Sequence, residues 1–139
     1  MPKNICVDLN VLVDIVLQRP GYEAARDVIA SGELGQSKLF LSAHEITTFD
    51  YILKRAGIPR ADRNRFLAWL LKVCSVISTH ETILMRAFAS AITDYEDAVV
   101  EQAALAAHCD YIITRNVRDF KNSAMPALTP EAYLKTVVQ

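Results

Sequence analysis

The residues best suited to chemistry in this chain are acidic side chains that recur beside short apolar runs. Asp8 ends the first such run, and Glu45 follows the second by four positions. Asp94 and Asp97 lie three apart ahead of the last clear run, and Asp119 follows it. Carboxylates gathered in one place repel and raise one another's pKa unless a cation lies among them. Oxygen ligands without His or Cys favour Mg²⁺, Mn²⁺ or Ca²⁺ over zinc, so this pattern predicts a site for a hard divalent cation.

Several of these acids also have a purely structural explanation. Asp8 could be a cap or turn residue, Asp94 could stabilise the positive end of a helix dipole, and Asp119 could stabilise a loop. Glu45 ends the pattern Ser-Ala-His-Glu, which is typical of a capping box that opens a helix. The joint placement of the acids beyond strand ends is what favours the chemical interpretation.

A second capping-box pattern, Thr-Asp-Tyr-Glu, ends at Glu96. We therefore assign Glu96 to capping, which leaves Asp97 for chemistry. A third such pattern at residues 78–81 predicts the start of another helix.

Strands and helices alternate along the chain, and these elements must position the acids. Apolar runs predict strands at 4–8, 38–41, 76–77 and 111–114 and a short one near 128. Helical spacing and stop signals predict helices at 11–17, 22–30, 42–56, 62–73, 78–92 and 93–108. A last helix is predicted to begin with Thr129 as N-cap and Pro130 at its first position, and to reach Gln139. This alternation predicts an α/β fold with a parallel sheet covered by helices on both faces. In such a sheet, the ligand site lies beyond the carboxyl ends of the strands.

Composition limits the class of protein. A chain of 139 residues predicts one domain, residues 1–139, and 52% apolar with 22% charged residues is the balance of an ordinary globular protein. The net charge of −1 excludes a globally basic nucleic-acid-binding protein but not local RNA contacts. Three widely spaced cysteines predict reduced core thiols. Without a signal-peptide pattern or a membrane span, we expect a cytoplasmic protein that does not bind membranes.

Four motifs together resemble those of the PIN-domain family. They are VDLNVL at 7–12, SAHE at 42–45, DYEDA at 94–98 and TRNVRDF at 114–120, and their order and spacing match along nearly the whole chain. The resemblance implies a three-layer α/β/α sandwich and divalent-metal-dependent cleavage of RNA. Members of this family are often the toxin of a VapBC-type toxin–antitoxin pair, so the resemblance also implies this role.

The resemblance also implies roles for individual residues. Asp8, Glu45 and Asp97 match the family's first three acids, and we assign the fourth position to Asp119 rather than Asn116. These four are the predicted catalytic residues, and Asp8, Asp97 and Asp119 are the predicted ligands of Mg²⁺ or Mn²⁺. The predicted supporting residues are Asp94, Asn116, Thr114 and Asn10, and the predicted RNA-contacting residues are Arg115, Arg118 and Lys121.

The partners predicted for such a protein are its RNA substrate, a cognate antitoxin and, in a homodimer, a second copy of itself. An antitoxin helix would need an apolar groove, which we place at Val28, Ile29, Ile52, Leu53, Leu67, Leu70 and Leu71. The alternative is that these residues complete the core or a homodimer contact. Trp69 and Phe66 are predicted core residues that could instead line such a groove.

Two other functions compete with a ribonuclease. One is a weakly catalytic or non-catalytic PIN-like domain that binds RNA or protein. The other is a response-regulator-like module that accepts a phosphoryl group, although the Lys expected near its last strand is missing.

Overall fold

A computed structural model describes residues 1–138 and contains a parallel sheet between two layers of helices. Within these residues the sheet has five strands in the order β3-β2-β1-β4-β5, and every neighbouring pair is parallel. The strands are β1 (Lys3–Val7), β2 (Ser37–Ser42), β3 (Ser75–Ile77), β4 (Tyr111–Ile113) and β5 (Ala127–Leu128). The predicted three-layer α/β/α architecture is confirmed.

Helices connect the strands on both faces of the sheet. They are α1 (Leu9–Leu17), α2 (Tyr22–Glu33), α3 (Ala43–Arg55), α4 (Arg60–Val73), α5 (Glu81–Ala87), α6 (Tyr95–Ala106) and α7 (Pro130–Tyr133). A short 3₁₀ turn spans Val117–Phe120, and a π-helical turn spans Leu134–Val138. Gln139, where the predicted last helix ends, lies outside the described residues. No helix within residues 1–138 is both long and apolar enough to cross a bilayer.

Alternation along the strands divides the core in two. Ile5 and Val7 pack with α1 to α4 on one face, and Cys6 packs with α5 and α6 on the other. Neighbouring side chains of a strand point to opposite faces, so each strand contributes to both layers. All three cysteines are free and buried, as predicted.

The position of β1 determines where a site can form. The chain proceeds from β1 to β2 on one side, and only later adds β4 on the other side. The strand order therefore reverses between β1 and β4, and a crevice opens there beyond the carboxyl ends of the strands.

The three predicted capping boxes are wrong, because one Ser makes a different contact and two helices begin later than the patterns predict. Ser42 precedes α3 without capping it, and its hydroxyl is instead 2.6 Å from His44 Nδ1. Helix α5 begins at Glu81 with His80 as N-cap, rather than after Ser78. At α6 the cap is Asp94, so Thr93 has no such role.

Helix α5 also ends earlier than predicted. Its last turn tightens, with the Phe88 amide donating to the Met85 carbonyl and the Ser90 amide to the Ala87 carbonyl. Ser90 then turns its hydroxyl toward Glu101 of α6, which holds the chain away from the helical path.

Candidate active site

Asp8 lies at the crevice and is bound from the neighbouring strand. It is only 3% exposed, and its Oδ2 accepts a 2.8 Å hydrogen bond from the Thr114 hydroxyl. Asp8 is the N-cap position of α1, but its side chain makes no capping bond to that helix. Thr114 follows β4, so the bond links the ends of the two strands between which the strand order reverses, and it fixes the orientation of the carboxylate.

Glu45 reaches the same crevice from α3. Its Oε2 accepts a 3.3 Å hydrogen bond from the Leu9 amide, in the first turn of α1. Its Oε1 is buried and has no hydrogen-bond partner within residues 1–138. Burial raises the pKa of Glu45 well above its usual value, and the neighbouring Asp8 raises it further. A buried carboxylate oxygen without a donor is costly unless a cation or proton compensates for it.

Asp94 and Asp97 enter from the first turn of α6. Asp94 Oδ1 accepts a 3.0 Å hydrogen bond from the Asp97 amide, so Asp94 is the N-cap of the helix. The side chain of Asp97 is directed into the acidic region. Burial, together with Asp94, Asp8 and Asp119, raises the pKa of Asp97 to about 7.

Glu96 does not cap α6 and belongs instead to the acidic region. Its pKa is raised by partial burial and by the negative charges of Asp94 and Asp8. It also adds to the raised pKa values of Glu45 and Asp97. The capping role assigned from the sequence is therefore wrong, because the helix begins one residue later than the Thr93–Glu96 pattern predicts.

A cleft of about 260 Å³ contains several of these acids together with two cations. Asp94 and Asp97 lie on one wall, and Asp119, Arg118 and Lys121 lie on the other. Asp119 belongs to the 3₁₀ turn after β4 and is exposed. Arg118 and Lys121 are also exposed, which suits their predicted role in binding phosphate.

Arg115 requires a correction, because its guanidinium is held within the protein. It bonds to Asp14 Oδ2 at 3.1 Å, to both oxygens of Glu131 at 2.6 and 2.7 Å, and to the Gly21 carbonyl. Gly21 has a φ of +89°, and a Cβ there would lie 2.8 Å from Arg115 Nη2. Arg115 thus joins α1, α2 and α7, and the structure favours this structural role over the predicted RNA contact.

The two remaining predicted helpers lie nearby without a demonstrated function. Asn10 is half-buried in the first turn of α1. Asn116 is exposed, and its backbone amide donates to the Thr114 hydroxyl at 3.0 Å. This bond fixes Thr114 from the side opposite to Asp8.

Sequence analysis missed two acids that shape the region. Asp14 is 6% exposed in an otherwise apolar helix, and its position gave the only available signal. Glu101 is 2% exposed and accepts hydrogen bonds from Ser90, Gln102 and the Ala124 amide at 2.6, 3.0 and 2.8 Å. Although burial opposes its ionisation, these hydrogen bonds lower the pKa of Glu101. Glu101 therefore joins the segments that precede and follow the two walls of the cleft.

The donor set fits a hard divalent cation in its chemistry. It consists of carboxylate oxygens, one of them buried without a donor within residues 1–138, and burial together with neighbouring carboxylates raises the pKa values of Glu45 and Asp97. As the side chains stand, no three His, Cys, Asp or Glu residues within 1–138 converge closely enough to bind one ion, so the predicted set Asp8, Asp97 and Asp119 is not at ligand distance. Mg²⁺ usually keeps several waters and is bound through one or two carboxylates, so three direct ligands are not required.

Comparison with known proteins gives the family. No curated protein sequence matches the chain. A crystal structure of VapBC2 from Rickettsia felis bound to a promoter DNA fragment is similar, with a TM-score of 0.70 and 12% identity over 91% of this chain and 98% of that chain. A toxin–antitoxin complex from Klebsiella pneumoniae has a TM-score of 0.67 and 20% identity over 91% and 97%. FitAcB from Neisseria gonorrhoeae has a TM-score of 0.62 and 19% identity over 91% and 98%. The sequence profile of the PIN domain matches residues 4–118, and the chain therefore belongs to the PIN-domain family.

Proposed function

We propose that this protein is a divalent-metal-dependent endoribonuclease and the toxin of a toxin–antitoxin pair. PIN domains are typically nucleases that depend on divalent metals, which makes this the expected chemistry for the family. The observation that carries the proposal is the buried carboxylate pair of Asp8 and Glu45. Glu45 Oε1 has no donor there, although the fold provides donors for its other buried acids.

Each group has a defined task in such a reaction. Asp8, Asp97 and Glu45 would hold Mg²⁺ or Mn²⁺, and Asp119 would complete the site from the opposite wall. A bound divalent ion lowers the pKa of water and stabilises charge on phosphoryl oxygens. Thr114 keeps Asp8 in place through its hydroxyl bond. Arg118 and Lys121 would attract the phosphate backbone toward a cleft that is otherwise negative.

Asp97 is suited to accept a proton near neutral pH. Its pKa of about 7 lies close to the operating pH, where a general base is most effective. A cation bound directly to Asp97 would lower that pKa, and Asp97 would then serve as a ligand. With the cation farther away, Asp97 would serve as the base.

The decisive test is cleavage of single-stranded RNA by wild type and by Asp8→Asn. Loss of a residue that only orients a metal ligand typically lowers activity by roughly 10–100-fold. We expect Asp8→Asn to lower the cleavage rate by more than this, because it removes a ligand itself. Asp110→Asn is the matched control, because Asp110 accepts from the Asn4 amide at the opposite, amino-terminal edge of the same strands. Full activity of Asp8→Asn, or equal loss in both variants, would contradict the proposal and favour a non-catalytic PIN-like domain.

An apolar cleft on the other face is suited to the antitoxin. Its volume is about 650 Å³, and it is lined by Ile15, Val16, Arg26, Ile58, Asp62, Arg65, Phe66 and Trp69. The groove predicted from the sequence requires correction, since Val28, Ile29, Leu53 and Leu70 are buried core residues. Complexes of toxin with antitoxin among the structural neighbours support such a partner here.

Expression in a host without the neighbouring reading frame tests the toxin role. We expect growth arrest that co-expression of the neighbour relieves and that Asp8→Asn abolishes. We also expect Trp69→Ala to weaken capture of the co-expressed neighbour, with Leu105→Ala as control, because Leu105 is exposed on α6 in the other helical layer. Normal growth with folded protein would exclude the toxin role while leaving RNA cleavage to be decided by the first test.

A further inference from the structure

Two aromatic rings are stacked on the protein surface close to the acidic cleft. The centroids of Phe88 and Tyr95 are 5.2 Å apart, and their planes differ by 26°. Phe88 is 73% exposed and Tyr95 is 43% exposed. The Tyr95 hydroxyl donates a 2.8 Å hydrogen bond to the Leu84 carbonyl, which fixes the ring. The pair is therefore an ordered apolar surface that contributes little to the core.

The chain between the two rings forms a wall of the cleft. Residues 91–94 line the cleft, and Tyr95 follows Asp94 directly. Ser90 is held by its 2.6 Å bond to Glu101, and the Ile92 amide donates to Ser90 Oγ at 3.0 Å. The rings and the carboxylate wall are thus two parts of one fixed segment.

The opposite wall supplies positive charge for a phosphate chain. Arg118 and Lys121 face Asp94 and Asp97 across the cleft. A strand of nucleic acid held there by its phosphates projects its bases outward, and a base next to the wall meets an aromatic face. Only unpaired bases expose such a face, since those of a duplex are already stacked.

We propose that the Phe88–Tyr95 pair is a stacking platform for an unpaired nucleobase of single-stranded RNA whose backbone lies in the adjacent cleft. The platform rests on the proposed function and deepens it by assigning a base-binding surface beside the cleft that would hold the phosphates. Leu84 and Met85 are also exposed on α5, so a contact with a second copy of this chain is the competing use of the surface.

The test measures binding in EDTA, where metal-dependent cleavage cannot occur. Fluorescence anisotropy compares a mixed-sequence 12-nucleotide single-stranded RNA, its duplex and an abasic ribose-phosphate oligomer of equal length. We expect wild type to bind the single strand most tightly, and Phe88→Ala and Phe88→Leu to lose roughly tenfold in affinity for it alone. Leu34→Ala is the control, because Leu34 is also 73% exposed but lies at the end of α2, ahead of the amino end of β2. Tyr95→Phe keeps the ring and should bind the single strand nearly as wild type does.

Three results would overturn the platform. In the first, wild type binds the single-stranded and the abasic oligomer with equal affinity. In the second, both Phe88 variants bind the single strand as tightly as wild type does. In the third, Phe88→Ala converts a wild-type dimer into a monomer without loss of RNA affinity. A parallel cleavage assay in Mn²⁺ separates the two proposals. Cleavage without dependence on Phe88 removes only the platform, and ring-dependent binding without cleavage removes only the nuclease.

Discussion

Asp14 and Glu101 can be compared with Asp8 and Glu45, since all four acids are at most 6% exposed. The carboxylates of Asp14 and Glu101 have their partners within the chain. Asp14 is bonded to Arg115, and Glu101 accepts from two side chains and a backbone amide. The second two lie together, and Glu45 Oε1 has no donor among residues 1–138.

The difference concerns charge compensation and not burial. The fold stabilises the first two acids with its own cations and donors, which is what structural acids require. The carboxylates of Asp8 and Glu45 would instead be neutralised by a cation that is not part of the chain. We therefore regard Asp8 and Glu45, which are buried but poorly compensated, as better candidates for function than Asp14 and Glu101.

The largest expected effect is on stability when the compensated region is broken. Asp14→Asn removes the charge that faces Arg115 and should lower the free energy of unfolding by about 2–3 kcal/mol. For a chain of this size that corresponds to a fall in Tm of roughly 5–10 °C, measured by circular dichroism. A Tm equal to that of wild type would mean that Glu131 alone satisfies Arg115. Asp14 would then not be a structural acid whose charge stabilises the fold.

A smaller effect is expected when cation is added to the uncompensated region. Mg²⁺ or Mn²⁺ at ten times its dissociation constant should stabilise wild type by about 1.4 kcal/mol. The shift in Tm should shrink in Asp97→Asn, which lacks a ligand charge. Glu101→Gln is the sharper control, since it should lose stability yet keep the full metal-dependent shift. Equal shifts in wild type and Asp97→Asn would place the ion elsewhere.

A third expected effect is the pH dependence of stability in metal-free buffer. The folded protein holds a proton on Asp97 up to about pH 7, whereas an unfolded chain releases it near the ordinary value of 3.8. The folded state therefore binds more protons between these values, and the free energy of unfolding falls as pH rises through that window. Thermal melts between pH 5 and 8 should show a steeper decline for wild type than for Asp97→Asn. Parallel curves would contradict the raised pKa.

Sequence patterns predicted the fold well because strand and helix periodicities are local. The strands at 4–8, 38–41 and 111–114 were predicted to within about one residue, and the Thr129 cap is confirmed by its bond from the Ala132 amide. The parallel sheet also led us to expect Asp8, Glu45, Asp97 and Asp119 around one crevice, but as the side chains stand within residues 1–138 no three acids converge to ligand distance. Their catalytic roles remain predictions.

What failed were details decided by individual side-chain contacts, many of them distant in sequence. The capping boxes depended on neighbours three residues apart, yet Ser42 interacts with His44 and Glu45 reaches Leu9. Likewise, nothing local to Arg115 indicates that Asp14 and Glu131 will hold it. Side-chain partners more than 15 positions apart are beyond what spacing patterns can predict.

The hydrogen bond between Thr114 and Asp8 joins residues 106 positions apart, and this has a consequence for how the chain is synthesised. Asp8 leaves the ribosome more than 100 residues before its orienting hydroxyl and the wall that carries Asp119. Contacts so remote in sequence form late and slowly, since loop closure precedes any gain from them. A nascent chain that ends before Thr114 therefore has Asp8, Glu45 and Asp97 but not the assembled site, and a host is exposed to the proposed activity only once the segment through Asp119 has been made and has folded.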